Sequence, residues 1–397
     1  QKGGSERYMF ELSDLLSKNG HEVVHFSMHD DANAFSSQAE FFADKVDVNR
    51  FSLKDIVKFF YNYDAVGKLA RLIEKEKPDI AHLNNVYHQL SPAIINVLKK
   101  HGIPVVLTLH DYKAICPNYK LYSGGRECRR CLGGKYYNCL AQKCLKDSYA
   151  KSFMAMLEAY LQKYVFKSYE KVDAFISPSY FMRDACVAFG IPKKKIKVIH
   201  NFIDTEKFTP AKSDSEPENY LLFYGRLSSE KGIGTLIEAM AHVKDKSLKL
   251  KIVGNGPDYQ SLKEKSQELG LSSRIELPGP KYGEELRRII GKAKAVVLPS
   301  VWPENMPLSM LESLSAGKAV LVSRAGGMPE IIKDRENGLT FEAGNAADLA
   351  EKIDILQDLN LKKISENARR TAENLSREKY YVSIMKIYTN IKQKNNK

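Results

Sequence analysis

Two glutamates with seven residues between them bracket the run Pro303-Glu304-Asn305-Met306-Pro307-Leu308-Ser309-Met310-Leu311-Glu312. The run follows the apolar stretch Ala295–Leu298 and leads into a helical pattern, with Pro307 expected in the first helical turn. The first backbone N–H groups of a helix lack intrahelical acceptors and attract anions. A carboxylate that must sit beside bound phosphate needs its own partner, and sugar or ribose hydroxyls suit it. Glu304 and Glu312 are therefore candidates for hydroxyl recognition, and backbone around Met306, Pro307, Leu308 and Ser309 for phosphate. An acidic helix start that merely complements the helix dipole is the plain alternative. Upstream, Gly225-Arg226-Leu227-Ser228-Ser229-Glu230-Lys231-Gly232 combines two glycines with Arg226 and Lys231. Glycine lets backbone approach a ligand closely, and the two cations could neutralise a departing diphosphate.

Other residues stand out in the first half. Leu107-Thr108-Leu109-His110-Asp111 reads as a strand delivering His110 from its end, or as a structural His110–Asp111 pair. Gly3-Gly4 falls where a strand-to-helix loop would approach phosphate. Cys116, Cys128, Cys131, Cys139 and Cys144 fall within an insertion at about 112–148, while Cys186 stands alone and reads as core packing. Cys128-x2-Cys131 with Cys139 and Cys144 has the spacing of two halves of a zinc knuckle. A structural zinc, a disulfide, an iron–sulfur cluster and free thiols all remain open, and a long irregular insertion gains from a metal staple.

The elements that must hold these residues follow two alternating strand–helix runs. The first has a helix at Glu6–Lys18 ended by Asn19-Gly20, then strands at Glu22–Phe26, Ile80–Leu83, Val105–Leu109, Asp173–Ile176 and Ile196–Ile199. The second has strands at Tyr220–Tyr224, Leu248–Val253, Ile275–Leu277, Ala295–Leu298 and Ala319–Val322. Alternation of this kind predicts an α/β fold with parallel sheets, whose ligands sit at the carboxyl ends of the strands. The chain has 397 residues, too many for one core. The expected division is an N-terminal domain over 1–208, a Pro- and Ser-rich linker at 209–219, a C-terminal domain over 220–375 and a final helix over 376–397 that returns to the first domain. The chain opens on a helix without a preceding buried strand, so a first strand is expected to lie upstream.

These motifs together resemble glycosyltransferase family 4, the group 1 glycosyltransferases. The pattern runs from Gly225-Arg226 and Lys231-Gly232 through Val253-Gly254-Asn255-Gly256-Pro257 and Pro299-Ser300 to Pro303-Glu304 and Glu312. It continues with Gly317, Gly326-Gly327-Met328-Pro329-Glu330 and Asn337-Gly338. The resemblance is patchier in the first half: Gly3-Gly4-Ser5-Glu6, His110-Asp111, Ser177-Pro178-Ser179 and Asn201-Phe202-Ile203-Asp204. It implies the GT-B fold, two Rossmann-like domains facing each other across a cleft. It implies a retaining hexosyltransferase that uses a nucleotide diphosphate sugar donor and a glycan or lipid-linked acceptor, in surface polysaccharide synthesis. His110, Arg226, Lys231 and Glu304 would be catalytic. Gly3, Gly4, Gly225, Gly254, Met306, Pro307, Leu308, Ser309 and Glu312 would bind the donor, and the loop near Pro280–Gly283 the nucleobase. No Asp-x-Asp pair accompanies the motif, so no catalytic metal or other cofactor is expected.

Charge adds one partner. The net charge is +13, and Lys113–Lys197 alone holds 17 basic and 6 acidic residues. Tyr149–Tyr169 mixes Phe153, Met156, Leu157 and Val165 with Lys151, Lys163 and Lys167, a pattern for an interfacial helix on an anionic membrane or for a core helix with a basic outer face. With no apolar run long enough to span a bilayer, the expected location is cytoplasmic, peripheral at the inner face of the membrane. A nucleotide-sugar epimerase of the same fold is the main rival reading. A basic zinc-containing nucleic-acid-binding protein is the second, but no nucleic-acid motif supports it.

Overall fold

The computed structural model of the chain describes residues 3–47, 52–210 and 217–395. By contact, the described residues fall into two units. The first draws on 1–123, 128–199 and 381–397, and the second on 124–127 and 200–380. Of the expected linker, 211–216 lie outside the described residues.

The first unit is built on β1 (Ala81–Asn84) and β2 (Val105–Thr108). Next in sequence, outside the main sheet, come the two-residue strands β3 (Tyr122–Ser123) and β4 (Arg126–Glu127), the latter grouped with the second unit, and then β5 (Ala174–Ser177) and β6 (Ile196–Val198) of the first. The main sheet runs β1-β2-β5-β6, and every pair is parallel. β2 and β5 are buried at every position, as strands covered by helices on both faces must be. Helices Tyr63–Glu76, Ile94–Lys100 and Tyr180–Ala188 supply Leu72, Ile95, Leu98 and Met182 to that core. Two start on side-chain caps: Asn62 accepts from the Ala65 N–H and Ser179 from the Met182 N–H. The expected strand at Glu22–Phe26 does not form. Val24 and Phe26 pack on the core, but a strand exists only through ladder pairing, and no described strand lies beside this segment. The nearest pairing is a single bridge, Met28 with Ala43.

The expected helix at Tyr149–Tyr169 is also shorter. It is α-helical over Tyr149–Tyr160, widens into a π turn over Leu161–Val165, and is broken by Lys167 at φ 50°. Its buried face carries Ser152, Ala155, Glu158 and Gln162, while Tyr149, Phe153, Tyr164 and Val165 are exposed. This is the reverse of an ordinary amphipathic helix.

The second unit contains β7 (Tyr220–Arg226), β8 (Lys249–Asn255), β9 (Ile275–Gly279), β10 (Ala295–Leu298), β11 (Ala319–Ser323) and β12 (Gly338–Phe341). Its parallel sheet runs β12-β11-β10-β7-β8-β9. Successive side chains enter opposite cores. Leu221, Phe223, Ile252, Val297 and Leu321 go to one face, and Leu222, Tyr224, Val253, Val296 and Val322 to the other. The sequence pattern missed β12. The chain builds β7, β8 and β9 outward, then returns to lay β10 on the other side of β7. The order therefore reverses between β7 and β10, where an open α/β sheet leaves a crevice at its carboxyl edge.

The first unit stops at Ile199, short of the expected 208. Asn201, Ile203 and Phe208 work in the second: Ile203 N–H donates to Leu375 O at 3.0 Å, and Phe208 joins the β10–β11 core. In the final helix, Arg377–Asn395, the Tyr380 ring packs at a tilt against Phe202 in the second unit, with ring centres 4.5 Å apart. From Tyr381 on, the helix serves the first: Tyr388 Oη bonds His82 Nδ1 at 2.5 Å and Lys392 pairs with Asp79. No described helix is long and apolar enough to cross a membrane.

Candidate functional site

The loops after β7 and β10 meet at the reversal point. Val301 N–H donates to Glu230 O at 2.9 Å and staples the two loops together. Lys231 Nζ then bonds Glu304, and Ser300 Oγ donates to the same Glu304 Oε1 at 2.8 Å. Lys231 also lies 5.6 Å from the centre of the Trp302 ring. Glu304 is only 6% exposed, so its charge needs this compensation. Its backbone is held as firmly. Gly327 N–H donates to Glu304 O at 2.7 Å, and Gly326, at φ 68°, lies so close that a Cβ there would fall 1.9 Å from that oxygen. The Gly326-Gly327 motif is thus a cradle for Glu304.

Helix Leu308–Ser315 begins immediately beyond. Pro307 occupies the N-cap position at φ −68° and ψ 132°, one residue ahead of the expected first turn, because its extended ψ is not helical. No side chain caps this helix. Its start is anchored from behind instead. Asn201 Nδ2 donates to Met306 O at 3.0 Å, and Tyr224 Oη donates to Ser309 O at 2.7 Å. The carbonyl of Met306 is therefore committed, and Leu308 and Ser309 present their N–H groups at the helix entrance. Glu312 is the fifth helical residue and is buried. Arg226 stands exposed at the end of β7, and its side chain makes no ion pair or hydrogen bond among the described residues. Gly225 is exposed beside it. Gly254 has a packing reason of its own: a Cβ would meet Gly225 O at 1.9 Å, so β7 and β8 close together only over glycine. Tyr282, beyond β9, is 77% exposed at the loop expected to receive a base.

The structure thus gathers Lys231, Glu304 and the Leu308–Ser309 helix start. It adds Ser300, Trp302 and Tyr224, which residue type alone did not single out. Ser300 carried a signal in its place beside Pro299; Trp302 and Tyr224 carried none.

In the first unit, His110 Nε2 shares a 2.8 Å hydrogen bond with Asn84 Oδ1, and its ring meets Tyr8 edge-on at 4.7 Å. Burial, and then the neighbouring His82, push its pKa down to about 3, so the imidazole is neutral. The alternative His110–Asp111 pair does not form. Asp111 accepts instead from Tyr87 Oη and from the Lys113 N–H at 2.9 Å, and burial raises its pKa to about 6. Gly3 and Gly4 begin helix Gly4–Lys18, which also lacks a side-chain cap, and a Cβ at Gly3 would meet nothing within 4 Å.

All five clustered cysteines line one small cavity with Pro117, Asn118, Arg130, Asn138 and Phe189. All are free thiols. Cys116 Sγ donates to Asn118 Oδ1 at 3.0 Å and Cys144 Sγ to Ser123 Oγ at 3.7 Å. Among the described residues no three His, Cys, Asp or Glu side chains already stand in a metal-holding arrangement. Cys186 is buried against Met182.

Two parallel α/β units with an uncapped helix start and a cation–carboxylate pair at the sheet's reversal point define the GT-B class. Residues 2–207 match the model of Glycosyltransferase Family 4, and residues 204–394 that of glycosyl transferases group 1; the chain belongs to glycosyltransferase family 4. It is 31% identical over 218 residues to an uncharacterized glycosyltransferase of Methanocaldococcus jannaschii, covering 51% of this chain and 56% of that one. It is 28% identical over 212 residues to a lipopolysaccharide core biosynthesis glycosyltransferase of Rhizobium meliloti, covering 49% and 60%. The chain thus spans little more than half the length of these curated relatives. In structure it is similar to an Anabaena protein crystallised with UDP, with a TM-score of 0.63, 19% identity and 82% of each chain covered.

Proposed function

We propose that the protein is a retaining glycosyltransferase that moves a hexosyl group from a nucleoside diphosphate sugar to a glycan or lipid-linked acceptor in surface polysaccharide assembly. The observation that carries this reading is the Lys231–Glu304 pair beside the uncapped start of helix Leu308–Ser315. The N–H groups of Leu308 and Ser309 receive diphosphate oxygens, and Glu312 receives ribose hydroxyls. Glu304 exchanges part of its contact with Lys231 for hydroxyls of the sugar. The bond from the anomeric carbon to the diphosphate oxygen breaks, and its electron pair leaves with the diphosphate. Lys231 and Arg226 stabilise that charge, as preorganised donors do in a water-poor site. The acceptor oxygen bonds the anomeric carbon from the same face, and its proton passes to the departing diphosphate. Charge stabilisation by two cations and a helix start leaves no task for a catalytic metal. His110, being neutral, offers a hydrogen bond and no charge; the Gly3–Gly4 helix start offers N–H groups. The relative that binds UDP and the relative in lipopolysaccharide synthesis support UDP and a surface glycan as the first choices.

The test is a thermal-shift panel of UDP, GDP, ADP and their sugars, with and without EDTA, followed by NMR of the product's anomeric configuration. Selective stabilisation by one diphosphate, unaffected by EDTA and weakened in Glu312→Ala, is expected. Inversion at the anomeric carbon, or conversion of donor without acceptor, contradicts the proposal. The basic, apolar face of helix Tyr149–Tyr160 and its π turn supports peripheral attachment to an anionic membrane. Flotation with anionic but not neutral liposomes, reduced in Phe153→Ser with Val165→Ser, is the expected result.

A further inference from the structure

We propose that Cys128, Cys131, Cys139 and Cys144 bind one structural zinc ion that closes the insertion between β2 and β5. The first support is convergence. The five clustered cysteines come from 29 residues of sequence, yet their side chains line one cavity, with Cys131 and Cys139 buried. The second is backbone. Between β2 and helix Tyr149–Tyr160 the chain forms only two-residue strands, a 3-10 turn at Leu132–Gly134 and a five-residue helix at Tyr137–Ala141. Five non-glycine residues there, Tyr119, Leu121, Lys143, Lys146 and Asp147, hold left-handed backbone. Such conformations persist where their surroundings over-determine them, and a fold with so few ladders gains that constraint from a metal.

The third support is charge. Four thiolates around Zn²⁺ carry a net charge of about −2, and the cavity is lined by Arg130 within the most basic stretch of the chain. Cys116 is the thiol left over. It donates to Asn118 Oδ1 and lies outside the paired x2 and x4 spacings. Without a metal nothing draws the four sulfurs to one point, and among the described residues no three of them yet stand in a metal-holding arrangement. Binding deprotonates the thiols and supplies that attraction.

Metal analysis of the full chain, purified without chelator and again after zinc reconstitution, tests the site. One zinc per chain is expected, retained in Cys116→Ser and lost in Cys131→Ser and Cys139→Ser. Should those variants fail to fold, cobalt(II) titration of the wild-type chain and of Cys116→Ser decides: both must show thiolate charge-transfer and tetrahedral visible bands of a tetrathiolate site. Zinc well below half an equivalent after reconstitution overturns the proposal. So does stoichiometric iron with labile sulfide, or a disulfide among these four residues in the native chain. Loss of metal from Cys116→Ser with retention in Cys144→Ser overturns the ligand set. None of these readouts depends on donor binding.

Discussion

Replacing Gly326 with alanine isolates what holds Glu304 in place. The added methyl would stand 1.9 Å from Glu304 O and 2.6 Å from Glu304 N, where ordinary contact begins at 3.4 Å. The loop must therefore retreat by about 1.5 Å to reach normal van der Waals separation. Alanine at a φ of 68° adds about 1–2 kcal/mol of backbone strain. Misplacement of a positioning group by about 1 Å costs on the order of 100-fold in rate, or about 2.7 kcal/mol of barrier. The expected result is a fall of about 100-fold in kcat/KM for the donor, with a loss of about 3–8 °C in Tm for a unit of this size. Steady-state kinetics and a thermal melt measure both. Gly67→Ala is the control: it lies inside helix Tyr63–Glu76 with nothing within 4 Å of the added Cβ, and should leave activity unchanged and stability equal or higher. Wild-type kcat/KM in a folded Gly326→Ala variant would refute the reasoning, because Glu304 would then not need the position its backbone is held in.

Three further outcomes follow from the same contacts. Lys231→Met should lower kcat by about 100- to 1,000-fold, and a double-mutant cycle with Glu304→Gln should show coupling of about 0.5–3 kcal/mol; additive losses would mean the pair does not act together. Asn201→Ala removes the bond to Met306 O, so stability should drop by about 1 kcal/mol and donor KM should rise more than kcat falls. Stability should also depend on acid through two histidines. Folded His82 and His110 titrate near 4 and 3 against an unfolded 6.5, so the unfolded chain binds more protons and stability is lost as pH falls from 6.5 toward those values. Asp111 works in the opposite sense, its raised pKa of about 6 favouring the folded state at lower pH. Urea unfolding across that window should show net acid destabilisation that is shallower in His110→Asn; an unchanged slope would remove His110 from the account.

Much of the architecture was legible because buried parallel strands leave continuous apolar runs. Val105–Thr108, Ala174–Ser177, Ala295–Leu298 and Ala319–Ser323 are buried along their whole length and were anticipated within a residue or so. Glu22–Phe26 also carries β-branched and aromatic residues yet forms no ladder, since pairing depends on a neighbour that a local pattern cannot report. Gly338–Phe341 was missed because Gly338 and Thr340 interrupt its apolar run. The domain boundary shifted to Ile199 because Asn201, Ile203 and Phe208 find their partners more than a hundred residues away.

The candidate site divides in the same way. Sequence by itself determined the chemical groups: the spaced glutamates, the two cations, the helix start after Pro307 and the crowded cysteines. It did not determine which of them touch. Lys231 and Glu304 are 73 residues apart, and they meet only because the crossover lays β10 beside β7 and brings their carboxyl-end loops together. The requirement for glycine at 326 has the same origin, since the atom that forbids a side chain there belongs to Glu304, and only the folded sheet places the two backbones in contact.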